Sequence, residues 1–196
     1  MARLNREQLE ALRRQARRRM YTGEGGPRTR VMVHMGSCGI AAGARAIEAA
    51  FREEFARSGL HGAVLMSTGC SGLCSEEPMA TVEMPQSPPI RYGGLTAEKA
   101  RRVFREHIEG GNPVAEHVIG VGYEPGILTP EEISSLLRER LIDNEQLGPL
   151  ETKGGATLPP LVEHPFFKKQ KLVVLRNKGM IDPELIDDYI ARDGYT

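Results

Sequence analysis

The chain has 196 residues, 40% of them hydrophobic and 27% charged, with 26 basic residues against 26 acidic ones. That composition builds one globular domain, or a domain with a borrowed segment, and argues against wholesale disorder. The cancelled charge, the absence of Trp and an aromatic share of 5% argue against a chain-wide nucleic-acid surface, and no apolar run approaches the roughly 20 residues of a membrane span.

Asn5 followed by Gln8 has the form of a capping box and predicts an Arg-rich helix from Asn5 to about Met20. Leu4, Leu9 and Leu12 give it a thin apolar stripe. Its basic remainder is either a solvated face or a docking arm for an acidic partner. The basic start lacks the apolar stretch of a secretory signal. Thr22 to Pro27 reads as a linker. Val31-Met32-Val33 predicts a buried strand, Gly36-Ser37-Cys38-Gly39 a turn, and Ala41 to Arg57 one helix stopped by Ser58-Gly59. Ala63 to Met66 reads as a second buried strand, leading into a glycine-rich loop from Thr68 to Cys74. Met79 to Met84 alternates as a strand does and forms a hairpin with Ile90-Arg91-Tyr92. Thr96 caps a helix from Ala97 to Ile108. Val118 to Val121 is a last strand, Pro130 to Leu141 a helix, and Leu147 to Pro160 a linker. Lys171 to Arg176 reads as a strand, and Asp182-Pro183 opens a helix that ends near Arg192.

The order β-α-β, hairpin, helix predicts an α/β fold. We expect a thioredoxin-like small central sheet flanked by helices, with an N-terminal helix and an extended C-terminal segment. The boundaries expected are 1–28 for the basic helix and its linker, 29–123 for the core domain, 124–165 for a linker with a short helix, and 166–196 for a final segment.

All three cysteines fall in loops that follow strands. In a β-α-β unit the two strands are neighbours, so the loops at their C-terminal ends meet. Cys38, Cys70 and Cys74 are therefore expected at one rim of the sheet. The plainer reading is that each is a small buried hydrophobe. Gly36, Gly39, Gly69 and Gly72 allow the backbone to bend closely there and turn amide N–H groups toward sulfur. With an odd cysteine count and no export signal, the thiols are expected to stay reduced in a cytoplasm. A [2Fe–2S] cluster or a zinc ion takes four ligands from Cys and His. His34, at the end of the first strand, is the candidate for the fourth place. Thiol redox chemistry is a third option, although no C-x-x-C is present. Gly36, Gly39 and Gly43 do not have the G-x-G-x-x-G spacing of a dinucleotide loop. Most paired carboxylates read as solvated surface, but Glu76-Glu77 flank the cysteine loop and are placed to meet a partner.

The segments HMGSCGIAAGA, STGCSGLCSEEPMATVEM and IRYGGLTAEKARRVFREHI resemble the thioredoxin-like [2Fe–2S] ferredoxin family. That family includes a small subunit of respiratory complex I and the N-terminal domains of NAD-linked hydrogenase subunits. Its pattern is C-x4-C, a long gap, then C-x3-C. Cys70 and Cys74 match the second half, and Cys38 matches the second cysteine of the first half. The first cysteine is absent, and His34 stands one residue closer to Cys38 than the family spacing. HPFFKKQKLVVLRNKGMIDPELIDDYIARDGY looks like the opening of the flavin-bearing, NADH-binding subunit of such complexes. The resemblance implies a [2Fe–2S] cluster on Cys38, Cys70 and Cys74, with His34 as a possible ligand. It further implies FMN and NAD bound only by a partner or by a missing C-terminal part, so that the chain is not catalytic alone. The expected partners are other subunits of an NADH-linked oxidoreductase, with no nucleic acid and no membrane insertion. The alternative is a cluster-free or zinc-binding assembly domain of the same kind of complex.

Overall fold

The structure, a computed structural model, describes residues 5–21, 29–60, 63–85, 87–124, 148–170, 172–175, 177, 181, 185–192 and 194–195. The helix expected at Pro130–Leu141 and the helix start at Asp182-Pro183 lie outside them.

Helix α1 spans Arg6–Tyr21. Its capping box forms as the sequence dictates. The Gln8 amide donates to Asn5 Oδ1 at 2.8 Å and the Asn5 amide donates to Gln8 Oε1 at 2.9 Å, which satisfies two N–H groups that the helix itself leaves open.

Strand β1, Arg30–His34, runs parallel to β2, Val64–Thr68. The segment between them is not one helix. Gly43 adopts φ 109°, in the left-handed region, so it ends α2 (Ser37–Ala42) and begins α3 (Ala44–Ser58). Strand β3, Ala80–Glu83, pairs antiparallel with β1 on its other side and with β4, Ile90–Tyr92. Strand β5, Val118–Val121, completes a five-stranded sheet in the order β2-β1-β3-β4-β5. Before β5 comes α4, Ala97–Val103, capped by Thr96, whose hydroxyl accepts from the Lys99 amide at 3.3 Å. The helix does not keep its pitch to Ile108 as expected. It widens into a π-helical turn over Phe104–Glu109, and the Gly110 amide donates back to the Arg105 carbonyl.

Alternation decides what each sheet face carries. One face presents Val31, Val33, Ala80, Val82, Ile90 and Tyr92 to Ile47, Phe51, Val103 and Phe104 of the helices, all 0–1% exposed. Each Val, Ile and Phe side chain among them contributes on the order of 1.5–3 kcal/mol by leaving water. The other face carries His34, Thr81 and Arg91. No helix covers it. The segment around Leu161 and Phe167 does so, together with Leu73 and Met79. Arg91 pairs there with the fully buried Glu124 at 2.5 Å and sits 5.5 Å from the centre of the Phe167 ring. Gly120 permits this closeness, because a Cβ at that position would lie 2.7 Å from the Leu161 Cα.

Two further expectations change. The stretch read as a linker over Leu147–Pro160 contains a small hairpin, β6 (Leu150–Glu151) with β7 (Thr157–Leu158). The strand read over Lys171–Arg176 is a turn at its described residues 172–175, with Val174 92% exposed. Among the described residues this segment pairs with no strand, and the β5 edge is met instead by the Val121 amide donating to the Pro159 carbonyl. Near the end of the chain α5, Ile186–Ala191, packs against α1. There the buried Arg13 donates from Nε to the Ile190 carbonyl at 3.2 Å.

A thiol cluster at the rim of the sheet

The parallel β1–β2 pair delivers two loops to the same end of the sheet. Gly36 is where they touch. A Cβ on Gly36 would lie 2.6 Å from the Cys70 Cβ, closer than non-bonded carbons approach. Only a glycine allows the loop after β1 to lie against the loop after β2, and so brings Cys38 toward Cys70 and Cys74. Gly39 permits a second close approach, since a Cβ there would meet the His34 carbonyl oxygen and the Glu77 carboxylate.

The three thiols gather as expected. The Cys70 and Cys74 sulfurs are 3.7 Å apart. Cys38 lies beside Cys74 and is the largest influence on it. Hydrogen bonding with Cys38, then with Cys70, followed by desolvation, pushes the Cys74 pKa up to about 12. A proton shared among crowded sulfurs is hard to remove, because a second thiolate would face the first at short range. The Gly72 amide donates to the Cys70 sulfur at 3.2 Å, the amide-to-sulfur contact expected of a glycine-rich loop. Cys38 and Cys74 are exposed and Cys70 is half-buried, so these are not the buried small hydrophobes of the plainer reading.

His34 does not join them, which corrects its expected role as a ligand. Its ring lies on the sheet face opposite the helices, fully buried, with Nε2 3.1 Å from the Thr81 hydroxyl. The cause is parity. Val31 and Val33 must face the helical core, so Met32 and His34 face the other way. Glu77 Oε2 accepts from the Met79 amide at 2.9 Å.

Two thiolates on one tetrahedral metal, with bonds of about 2.3 Å, stand about 3.8 Å apart. The Cys70–Cys74 separation of 3.7 Å fits such a pair. Among the described residues no three His, Cys, Asp or Glu side chains converge on a single point as the ligands of one ion would. Three thiols match three of the four ligand positions of a [2Fe–2S] cluster.

No family model matches the chain. It is 33% identical over 122 residues to the NADP-reducing hydrogenase subunit HndB of Solidesulfovibrio fructosivorans, a match covering 62% of this chain and 94% of that protein. It is 29% identical over 111 residues to a protein of Priestia megaterium that carries the name of a 2Fe-2S ferredoxin, covering 57% and 85%. A thioredoxin-like [2Fe-2S] ferredoxin from Aquifex aeolicus superimposes on 51% of this chain and 97% of its own, with a TM-score of 0.44 and 24% identity.

Proposed function

The chain belongs to the family of the hydrogenase subunit HndB, and from that premise we propose that it is an electron-transfer iron–sulfur subunit of an NAD(P)-linked, hydrogenase-type oxidoreductase complex. The observation that supports this most is the gathering of three thiols from two loops, with one pair at 3.7 Å. Cys70 and Cys74 would hold one iron and Cys38 the second. A [2Fe–2S] cluster, when bound, supplies a one-electron relay. The chain's part is to fix the sulfurs and to set their surroundings. The Gly36 contact holds the two loops in register, and the Gly72 N–H stabilises negative charge on the Cys70 sulfur. Exposure of Cys38 and Cys74 leaves the rim open to another subunit. In this reading the flavin and the NAD(P) site belong to partner subunits, 29–123 is the ferredoxin-type domain, and 166–196 is the start of a flavoprotein-type segment. The protein works in the cytoplasm. Among the described residues no helix is long and apolar enough to cross a membrane.

Anaerobically purified protein is expected to be coloured, to contain iron and sulfide in equal amounts, and to give an EPR signal on reduction. Cys70→Ser and Cys74→Ser are expected to abolish that signal. Colourless, iron-free protein from a host that loads other clusters would rule the reading out.

The count of three cysteines favours a second reading, a cluster-free assembly domain that docks subunits through the same fold. Unchanged assembly and unchanged electron flow in Cys70→Ser would select it.

A further inference from the structure

The three sulfurs are not equivalent. Cys70 and Cys74 stand at the separation of a complete pair on one metal. Cys38 lies beside Cys74 at the start of α2, exposed to solvent, between Gly36 and Gly39. The sequence holds no fourth cysteine. His34 faces the far side of the sheet and meets Thr81. Glu77 is a nearby carboxylate, but its Oε2 accepts from the Met79 amide and packs toward the Gly39 backbone. An iron held by Cys38 would have one cysteine sulfur from this chain, on a side chain exposed to solvent. A soft, anionic sulfur is the donor that such an iron prefers.

We propose that the metal on the Cys38 side takes its remaining ligand from a thiol outside residues 1–196, supplied by a small cellular thiol or by a cysteine of a docked subunit. The proposal rests on the cluster reading above and adds the identity of the missing ligand. Ligation is by the deprotonated thiol. It releases one proton to solvent and transfers no electrons.

The full chain, freed of small thiols and kept reduced with a phosphine, is rebuilt anaerobically with ferric iron and sulfide, with and without glutathione. Native mass spectrometry and iron and sulfide analysis read the product. The expected result is a cluster-bearing species with one glutathione bound in the arm that contains glutathione, and loss of nearly all cluster in the arm that lacks it. Cys38→Ala is expected to lose the bound glutathione. A parallel preparation of the assembled complex, dialysed free of small thiols, identifies the source. A cluster retained there without glutathione points to a subunit cysteine, and one lost on dialysis points to a small thiol. A full cluster on the isolated chain without glutathione, for instance through Glu77, would overturn the proposal and leave the cluster reading standing. A full cluster with glutathione in the buffer but none in the measured mass would overturn it equally. No iron in any preparation would overturn both.

Discussion

Gly36 carries a test at the level of single atoms. Its missing side chain lets two loops touch, so Gly36→Ala must push the Cys70 loop away from Cys38. Overpacking of this kind costs about 1–3 kcal/mol. The expected outcome is a lowered urea midpoint together with loss of most bound iron. Gly69→Ala, where a Cβ meets nothing within 4 Å, is expected to keep both. A second residue ties stability to pH. His107 is buried, which lowers its pKa to about 4, and its Nδ1 lies 2.9 Å from the Tyr92 hydroxyl. Burial likewise raises the Tyr92 pKa. The folded state keeps His107 neutral, while the unfolded chain takes up a proton near pH 6.5. The stabilisation is thus complete above pH 6.5, falls as the pH drops, and stops falling below about pH 4. Between pH 7 and pH 5 the loss is about 2 kcal/mol. Urea titrations at those two pH values measure it, and His107→Gln is expected to flatten the dependence.

Secondary-structure elements were legible where local chemistry decides them and obscure where partners do. The capping box of α1, the alternation in β3 and the Thr96 cap each depend on residues a few positions apart, so the sequence states them outright. The break at Gly43 was less visible, because A-A-G-A has good helical composition and only the φ of 109° reveals the stop. Lys171–Arg176 has strand composition, but a strand also requires a partner, and its described residues pair with none. The hairpin at 150–158 is the converse, a glycine-bearing stretch closed by Thr152, whose amide donates to the Ala156 carbonyl at 2.8 Å. The site shows the same division. Convergence of Cys38, Cys70 and Cys74 follows from β-α-β topology alone. The exclusion of His34 follows from strand parity, which was present in V-M-V-H but was outweighed by the spacing to Cys38. The cover over the second sheet face, with Arg91 and Glu124 beneath it, had only one signal, a charge in the middle of a three-residue strand. Gly120→Ala tests that cover. Its Cβ would strike the Leu161 backbone, so the segment 157–170 is expected to become protease-sensitive, with a stability loss of about 1–3 kcal/mol.

Across the whole molecule the first and last described helices hold each other. Arg13 is buried on α1 and bonds to the Ile190 carbonyl on α5. A hydrogen bond to a charged group contributes about 1.5–3 kcal/mol. Arg13→Ala is therefore expected to increase hydrogen exchange in 6–21 and in 186–191 together, while the five-stranded sheet stays protected. Exchange that rose in one helix alone would show the two to be independent. The composition gave no hint of this clasp, because an arginine in a run of arginines looks like solvated surface until its partner is seen.

The openness of the rim has an electrical consequence. Cys38 and Cys74 are exposed, so in the isolated chain bulk water would stabilise the extra negative charge that reduction adds. A docked subunit would displace that water, and the reduced form would lose more than the oxidised one. The midpoint potential measured on the chain alone is thus expected to lie above the value it takes in the assembly, so that docking itself would set how strongly the subunit donates.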